Sequence, residues 1–279
     1  MKETLELRIN YDYASLLFAV DEGKNVGTTV KVVELPKGDP RYDQIPEFER
    51  QVQNKYNSSF FFGWEIKRKY GKKELDAASL FQLKINTSFE PAGEECGTVY
   101  NLQTACEICG ANKKQVGLLN LKKGSLPSKD IAKTIAGEIV VSEKFAEIFD
   151  KSGLKGVKLE PVLFEKGTSN YYQLVTSVEV ELSQNTIAGI NPFDLSTSSE
   201  GEIYKCPKGH TIGLNLLSEA FVLNSQSIEK NDFFKSKQKI GVKRGLLRPE
   251  PLYLCSPDFR KMVKEEKLNG FDFEIAHID

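Results

Sequence analysis

The stretch VSEKFAEIFDKSGLKGVKLE, residues 141–160, aligns without a gap with CSPDFRKMVKEEKLNGFDFE, residues 255–274, at a constant offset of 114 residues. Apolar residues fall at matching positions inside both stretches. The identical pairs are Ser142 with Ser256, Phe145 with Phe259, Leu154 with Leu268, Gly156 with Gly270 and Glu160 with Glu274. Two copies are too few for a solenoid, so the match favours a pseudo-symmetric pair of half-domains.

Each copy predicts a strand, a capped helix and a second strand. Ser142 and Ser256 stand where a helix begins, and a serine hydroxyl there accepts a hydrogen bond from a free N–H of the first turn. Apolar residues follow at helical spacing. Gly156 and Gly270 then close the unit, because glycine readily takes the left-handed conformation that ends a helix.

The rest of the chain predicts a strand-rich α+β protein, since short helices are interspersed with alternating apolar segments. The expected strands are 3–9, 27–34, 58–71 and 81–89, and the expected helices are 47–56 and 72–81. We expect internally duplicated strand-helix-strand units joined by a pair of zinc knuckles, behind a strand-rich N-terminal region. The expected domains are an N-terminal α+β region at 1–90 and a duplicated domain at 91–279, with copies at about 91–167 and about 195–279.

Composition describes a globular protein. Of 279 residues, 40% are hydrophobic and 28% are charged, and the formal net charge is -1, which gives no overall attraction to nucleic acid or membrane. The opening MKETLELRIN lacks the pattern of a signal peptide, and no apolar run is long enough to span a membrane. We therefore expect a cytoplasmic protein whose five cysteines stay reduced and available to metal.

The cysteine spacing predicts one structural zinc ion per chain. Cys106-Glu-Ile-Cys109-Gly is a zinc knuckle, in which two thiolates face one ion. The second copy reads Cys206-Pro-Lys-Gly209-His210, with glycine in place of the second cysteine and a histidine after it. Zinc accepts this spacing and an imidazole ligand. The predicted site is a tetrahedron of Cys106, Cys109, Cys206 and His210 that joins the two copies.

Other interpretations of these thiols stay open. Cys96 is a candidate additional ligand, or a substitute for His210, while Cys255 lies in an apolar strand and is expected to be a buried core residue. Two further hypotheses are that all five cysteines are buried or idle thiols, and that the Cys-x-x-Cys motif at Cys106 is a redox pair. The absence of a thioredoxin-like segment around this motif disfavours the redox pair. A site with only three ligands would leave a position for water and suit a hydrolase.

A basic stretch near the C-terminus is a candidate binding patch. Residues 235–249 read KSKQKIGVKRGLLRP and suit a phosphate, a nucleic acid or an acidic protein surface. A solvated turn between strands is the alternative. The patch comprises Lys235, Lys237, Lys239, Lys243, Arg244 and Arg248. No nucleophile elbow, phosphate-binding loop or dinucleotide fingerprint occurs, so we expect no catalytic residues.

The two knuckles and the serine-capped helix resemble the bacterial double-CxxCG motif family over about residues 95–279. Members of that family look like immunity proteins, which neutralise toxins exchanged between neighbouring cells. The resemblance implies metal binding by Cys106, Cys109 and Cys206, whereas the family's fourth cysteine falls on Gly209. It implies a non-catalytic protein that binds a cognate toxin directly. The alternatives are a nucleic-acid-binding protein similar to a zinc ribbon and a zinc-dependent hydrolase.

Overall fold

The structure is a computed structural model and describes residues 1–108, 112–165, 167–189, 192–193, 207–210, 215–240 and 250–279. Within these residues the chain is a mixture of α-helices and β-strands in which strands predominate, so the expected α and β class is confirmed. Within these same residues no helix is long and apolar enough to cross a membrane.

The chain forms two compact units. The first comprises Met1–Ala77 with Asn191–Leu195, and the second comprises Ala78–Ile190 with Ser196–Asp279. The division at Ala77 falls before the expected end of the N-terminal region at residue 90. The reason is that the strand Leu80–Ile85 is hydrogen-bonded on both sides to strands of the second unit.

The first unit is a four-stranded antiparallel sheet with a packed helix, in the order β2 (Lys24–Val26), β3 (Val30–Pro36), β1 (Lys2–Asn10) and β4 (Phe61–Lys69). Leu5, Leu7 and Ile9 alternate along β1 and form the core with Val52 from the long helix. Phe193 packs its ring 5.9 Å from that of Phe61. The elements are β1 (Lys2–Asn10), β2 (Lys24–Val26), β3 (Val30–Pro36), α1 (Ile45–Tyr56), β4 (Phe61–Lys69) and α2 (Lys72–Ala77), with 3₁₀ helices at Tyr11–Leu16 and Tyr42–Gln44.

The second unit holds the paired segments. Both predicted strand-helix-strand segments are present. Its elements are β5 (Leu80–Ile85), β6 (Ser88–Phe89), β7 (Val99–Asn101), β8 (Lys114–Val116), β9 (Ile131–Thr134), β10 (Ile139–Ser142), α3 (Glu143–Ser152), β11 (Lys158–Phe164), β12 (Gly167–Val175), β13 (Glu179–Val180), β14 (Ala188–Gly189), β15 (Asn215–Leu216), β16 (Ala220–Val222), α4 (Gln226–Lys230), β17 (Phe233–Lys239), β18 (Pro251–Cys255), α5 (Pro257–Glu265) and β19 (Phe271–Ile278), with a 3₁₀ helix at Gly93–Cys96.

Two sheets of the second unit share one strand order. One runs β11-β12-β10-β9-β6, and the other runs β19-β5-β18-β17-β13 with β16 added beyond β19. In each sheet the fifth strand is parallel to the fourth, since β6 is parallel to β9 and β13 to β17. The single strand predicted at 81–89 is therefore divided: β5 enters the six-stranded sheet and β6 enters the five-stranded one.

The two longer helices of this unit begin in the same way. The hydroxyl of Ser142 accepts a hydrogen bond from the N–H of Phe145 at 3.1 Å. The hydroxyl of Ser256 accepts one from the N–H of Phe259 at 3.2 Å. The two phenylalanines meet with ring centroids 6.2 Å apart. The predicted N-caps are confirmed, and each cap aims a large apolar side chain into a shared aromatic core.

Two aspartates join each helix cap to the opposite segment. Asp130 accepts a hydrogen bond from the serine hydroxyl that caps α3 at 2.8 Å and from the backbone N–H of Asn269 at 2.8 Å. Asp232 accepts one from the serine hydroxyl that caps α5 at 2.8 Å and from the backbone N–H of Lys155 at 2.9 Å. Each carboxylate therefore ties the start of one helix to the loop that follows the other.

Gly156 and Gly270 are required by close backbone contacts. Their φ angles are 99° and 93°, which side chains rarely adopt. A Cβ on Gly156 would lie 2.3 Å from the carbonyl oxygen of Phe233, and one on Gly270 would lie 2.5 Å from that of Ile131. The predicted closing glycines thus let each segment pass directly over a strand of the other sheet.

Candidate metal centre

The first knuckle is carried by a hairpin with a buried anchor. The strands β7 and β8 pair antiparallel, and Val99 lies opposite Val116. Just before the hairpin, Thr98 is buried, and its hydroxyl accepts from the N–H of Asn120 at 2.8 Å and donates to the carbonyl of Asn120 at 3.2 Å. These bonds fix both ends of the loop that bears the cysteines.

The second knuckle is held by an anchor of the same kind. The hydroxyl of Thr186 accepts from the N–H of Phe221 at 2.9 Å and donates to the carbonyl of Phe221 at 2.7 Å. Phe221 belongs to β16 and pairs in parallel with His277 of β19. Asn120 likewise forms a parallel bridge to Leu163 of β11. Both knuckle segments therefore start and end against the edge of a sheet.

Cys106 points inward from a loop whose apolar residues point outward. Its exposure is 6%, whereas Leu102 is 61% exposed and Ile108 is 56% exposed. Free cysteine is among the residue types most often buried, so this burial suits a small core residue as well as a metal ligand.

His210 lies on the second knuckle and reaches the loop of the first. Its Nε2 is 3.3 Å from the side-chain amide of Asn112. Beside it, Lys208 Nζ is 3.4 Å from the carboxylate of Glu107. Gly209, at the position where a second cysteine was missing, has a φ of 82° and turns the chain towards His210. The two knuckles are thus in contact through two separate side-chain pairs.

The contact between the two loops is a hydrogen bond in which the ring of His210 accepts. The side-chain amide nitrogen of Asn112 donates to Nε2, which uses its lone pair on this bond. A metal ion bound to Nε2 would take the place of Asn112.

The other two predicted ligands, Cys109 and Cys206, lie outside the described residues. In the part of the chain that is described, no group of three or more His, Cys, Asp and Glu side chains is placed to hold a metal ion. The structure thus places two predicted ligands, Cys106 and His210, on adjoining turns.

Cys96 and Cys255 have other surroundings. Cys255 is fully buried in β18, and burial raises the pKa of its thiol well above the ordinary value, so it is the core residue expected. Burial also raises the pKa of Cys96, and the groups acting on this thiol belong to Glu95, Lys122 and Glu138. A raised pKa disfavours the thiolate that zinc needs.

The lysines of the basic patch differ in whether they form an ion pair. Lys235 lies 3.5 Å from Glu179, and Lys237 lies 2.8 Å from Glu181. Within the described residues Lys239 forms no ion pair. The remaining members of the patch lie outside the described residues: Lys243, Arg244 and Arg248.

A cavity of about 720 Å³ beside the first knuckle has no counterpart in the sequence analysis. Its polar lining comes from five separate elements, and each element contributes only one to a few ordinary polar residues. The residues concerned include Tyr100, Cys106, Gln115, Glu138, Gln173, Lys235, Lys239 and Tyr253. Only Cys106 and the two lysines carried a local signal, so sequence spacing did not reveal the cavity.

A comparison of the chain with models of known protein families gives no match. A comparison with curated proteins gives no match either. The resemblance to the double-CxxCG family therefore stays a prediction.

Proposed function

We propose that this chain is a non-catalytic binding protein stabilised by one structural zinc ion, which is held by Cys106, Cys109, Cys206 and His210. Support comes from the buried thiol of Cys106 and from the contact of His210 with the loop of the first knuckle. Zinc in a four-ligand site supplies a cross-link and folding free energy, and it leaves no position for a reactive water.

The zinc would join two copies of one repeat. We infer that β5 to β11 and β12 to β19 are duplicates, and that each copy lends its first strand to the sheet of the other. The common strand order, the serine caps and the crossed aspartate bonds support this inference. Both knuckles leave from the edges of these sheets, so one ion would close the pseudo-symmetric pair.

The function we favour is neutralisation of a bacterial toxin by direct binding, as an immunity protein. The observation that carries protein binding is the apolar outer face of the hairpin that bears the first knuckle. Val99 is 63% exposed and Val116, directly opposite on the neighbouring strand, is 52% exposed. Leu102 and Ile108, in the loop between these two strands, are exposed as well. Apolar side chains exposed together on one element are typical of protein interaction sites.

Nucleic-acid binding is less well supported. Lys235 and Lys237, from the stretch that would contact phosphates, lie beside Glu179 and Glu181. Both ammonium groups are already partly neutralised by these carboxylates, which lowers the counterion release that drives binding to a nucleic-acid backbone. We therefore place the interaction surface on the hairpin.

The test has two steps: sequencing of the coding region immediately upstream for a toxin domain, and calorimetric titration of this chain with that domain. We expect a complex that V99S/V116S weakens at least tenfold, because both apolar anchors are lost. Val20, an 86% exposed valine of the first unit, supplies the control V20S, which we expect to bind like the wild type. Equal binding by all three proteins would remove the hairpin from the interface. Absence of any complex at micromolar concentrations would contradict the proposed function.

A further inference from the structure

The cavity beside the first knuckle has the size of a small-molecule site. Its volume is about 720 Å³, and ligand pockets commonly measure about 300–1,000 Å³. The hairpin β7–β8, the turn between β9 and β10, and the strands β12, β17 and β18 form its walls. Such a site on several rigid elements can hold a ligand in one orientation.

Three carboxylates line the cavity and each has a partner, Glu107 lying 3.4 Å from Lys208. Glu94 forms an ion pair with Lys113, whose ammonium also lies 4.3 Å from the ring centroid of Tyr100. Both carboxylate oxygens of Glu138 accept hydrogen bonds, one from the hydroxyl of Tyr100 and one from that of Thr134. These acidic groups therefore have donors within the protein.

The wall formed by β17 and β18 carries three donors, of which Lys235 has a carboxylate partner, Glu179, and the other two have none among the described residues. Lys235 lies opposite Tyr253 in the strand pairing, and both line the cavity with Lys239. Among the described residues Lys239 has no ion pair, and the phenol of Tyr253 forms no hydrogen bond. Burial raises the pKa of Tyr253 above its ordinary value, so this phenol remains a donor. Two ammonium groups and a hydroxyl thus face one space.

In the five-stranded sheet, the lysine at the position that corresponds to Lys235 has its positive charge neutralised by a carboxylate. Lys133 of β9 lies opposite Ser88 in the parallel pairing, just as Lys235 lies opposite Glu179. Lys133 Nζ is 3.0 Å from Glu250, whose side chain is 19% exposed. Lys235 has a longer ion pair of 3.5 Å, and its partner Glu179 is 45% exposed. The positive charge left for a ligand is therefore concentrated beside the knuckle.

We propose that this cavity binds the phosphate group of a small phosphate monoester through Lys235, Lys239 and the hydroxyl of Tyr253. Two cations and a neutral donor suit a group with about two negative charges and three acceptor oxygens better than a carboxylate. The aromatic ring of Tyr100 lines the same cavity and suits an aromatic or apolar ester group. The site does not depend on toxin binding.

Calorimetric titration at low salt with phenyl phosphate, inorganic phosphate and benzoate tests this assignment. We expect phenyl phosphate to bind most tightly, inorganic phosphate more weakly and benzoate weakest. K239Q should weaken phenyl phosphate about tenfold or more, because a charge-assisted hydrogen bond is lost. K237Q is the matched control, since Lys237 lies on the same strand as Lys239, pairs with Glu181 and does not line the cavity.

Thermal unfolding separates a binding defect from a folding defect, because K239Q should unfold at the wild-type temperature. If K239Q proves unfolded, Y253F provides a second variant, which should weaken phenyl phosphate several-fold while leaving the ring in place. Lack of binding at millimolar phenyl phosphate would overturn the site. Equal weakening by K237Q and K239Q, or tighter binding of benzoate, would also overturn it.

Discussion

Single residues at the crossing of the two segments have almost no freedom. Gly156 and Gly270 combine a left-handed backbone with a carbonyl oxygen where a Cβ would lie. A substitution at either position must move a strand of the opposite sheet, because the obstructing atom belongs to the backbone. A positive φ without such a clash costs less free energy, and Gly153 in the preceding turn is an example.

Gly153 and Gly156 allow these two effects to be separated. Gly153 ends α3 with a φ of 73°, and no atom lies within 4 Å of its absent Cβ. We expect G153A to lower the free energy of unfolding by about 1 kcal/mol, the cost of a left-handed alanine. G156A should lower it by about 3 kcal/mol or more, since a clash is added. Chemical denaturation measures both values, and equal losses would contradict the close crossing.

At the scale of elements, the helices depend on caps that also bond to aspartates. The hydroxyl of Ser142 accepts from its own helix and donates to Asp130 at 2.8 Å. Ser256 does the same with Asp232 at 2.8 Å. Removing either hydroxyl therefore leaves a helix N–H without its cap and a carboxylate without one donor.

We expect S142A and S256A each to lower the free energy of unfolding by about 1–2 kcal/mol. Ser225 provides the contrast within the same chain. It precedes the short α4 with no side-chain cap, and its hydroxyl is buried without a hydrogen-bond partner among the described residues. S225A should therefore be neutral or slightly stabilising. Denaturant titration of the three variants decides, and a loss at Ser225 equal to that at Ser142 would contradict the capping role.

The same elements show what local sequence could predict. The serine caps, the apolar helix faces and the closing glycines of 141–160 and 255–274 act within a few residues, and all were predicted. The pairing of β5 was not predicted, because LFQLKI carries no signal that selects β18 and β19 over a neighbouring strand. Strand partners are selected by packing between segments that are distant in the sequence.

The candidate site likewise has parts that local sequence predicts and parts that it does not. The prediction that Cys106 and His210 are metal ligands comes from the similar spacing of CEIC and CPKGH in the sequence, and it stays a prediction. Their contact through Asn112 was not predicted, since an asparagine three residues beyond Cys109 carries no signal of its own. The cavity wall formed by Lys235, Lys239 and Tyr253 depends on the pairing of β17 with β18. Only the folded sheet brings these residues to one space.

At the scale of the whole second unit, β5 joins the sheet of β17, β18 and β19, and β12 joins the sheet of β9, β10 and β11. The two loops that carry the predicted ligands meet at His210 and Asn112 and at Lys208 and Glu107, and the second pair is an exposed ion pair of low value. A zinc ion at this junction would supply the strong link between the two loops that these surface contacts lack.

Zinc content is the measurement that tests this account most directly. Elemental analysis of the purified chain should find about one zinc per chain. C106S and H210A should lose the metal and unfold at a lower temperature, whereas C96A should keep it, because Cys96 is surrounded by Glu95, Lys122 and Glu138. A metal-free wild-type preparation that unfolds at the same temperature with and without added zinc would contradict the central claim.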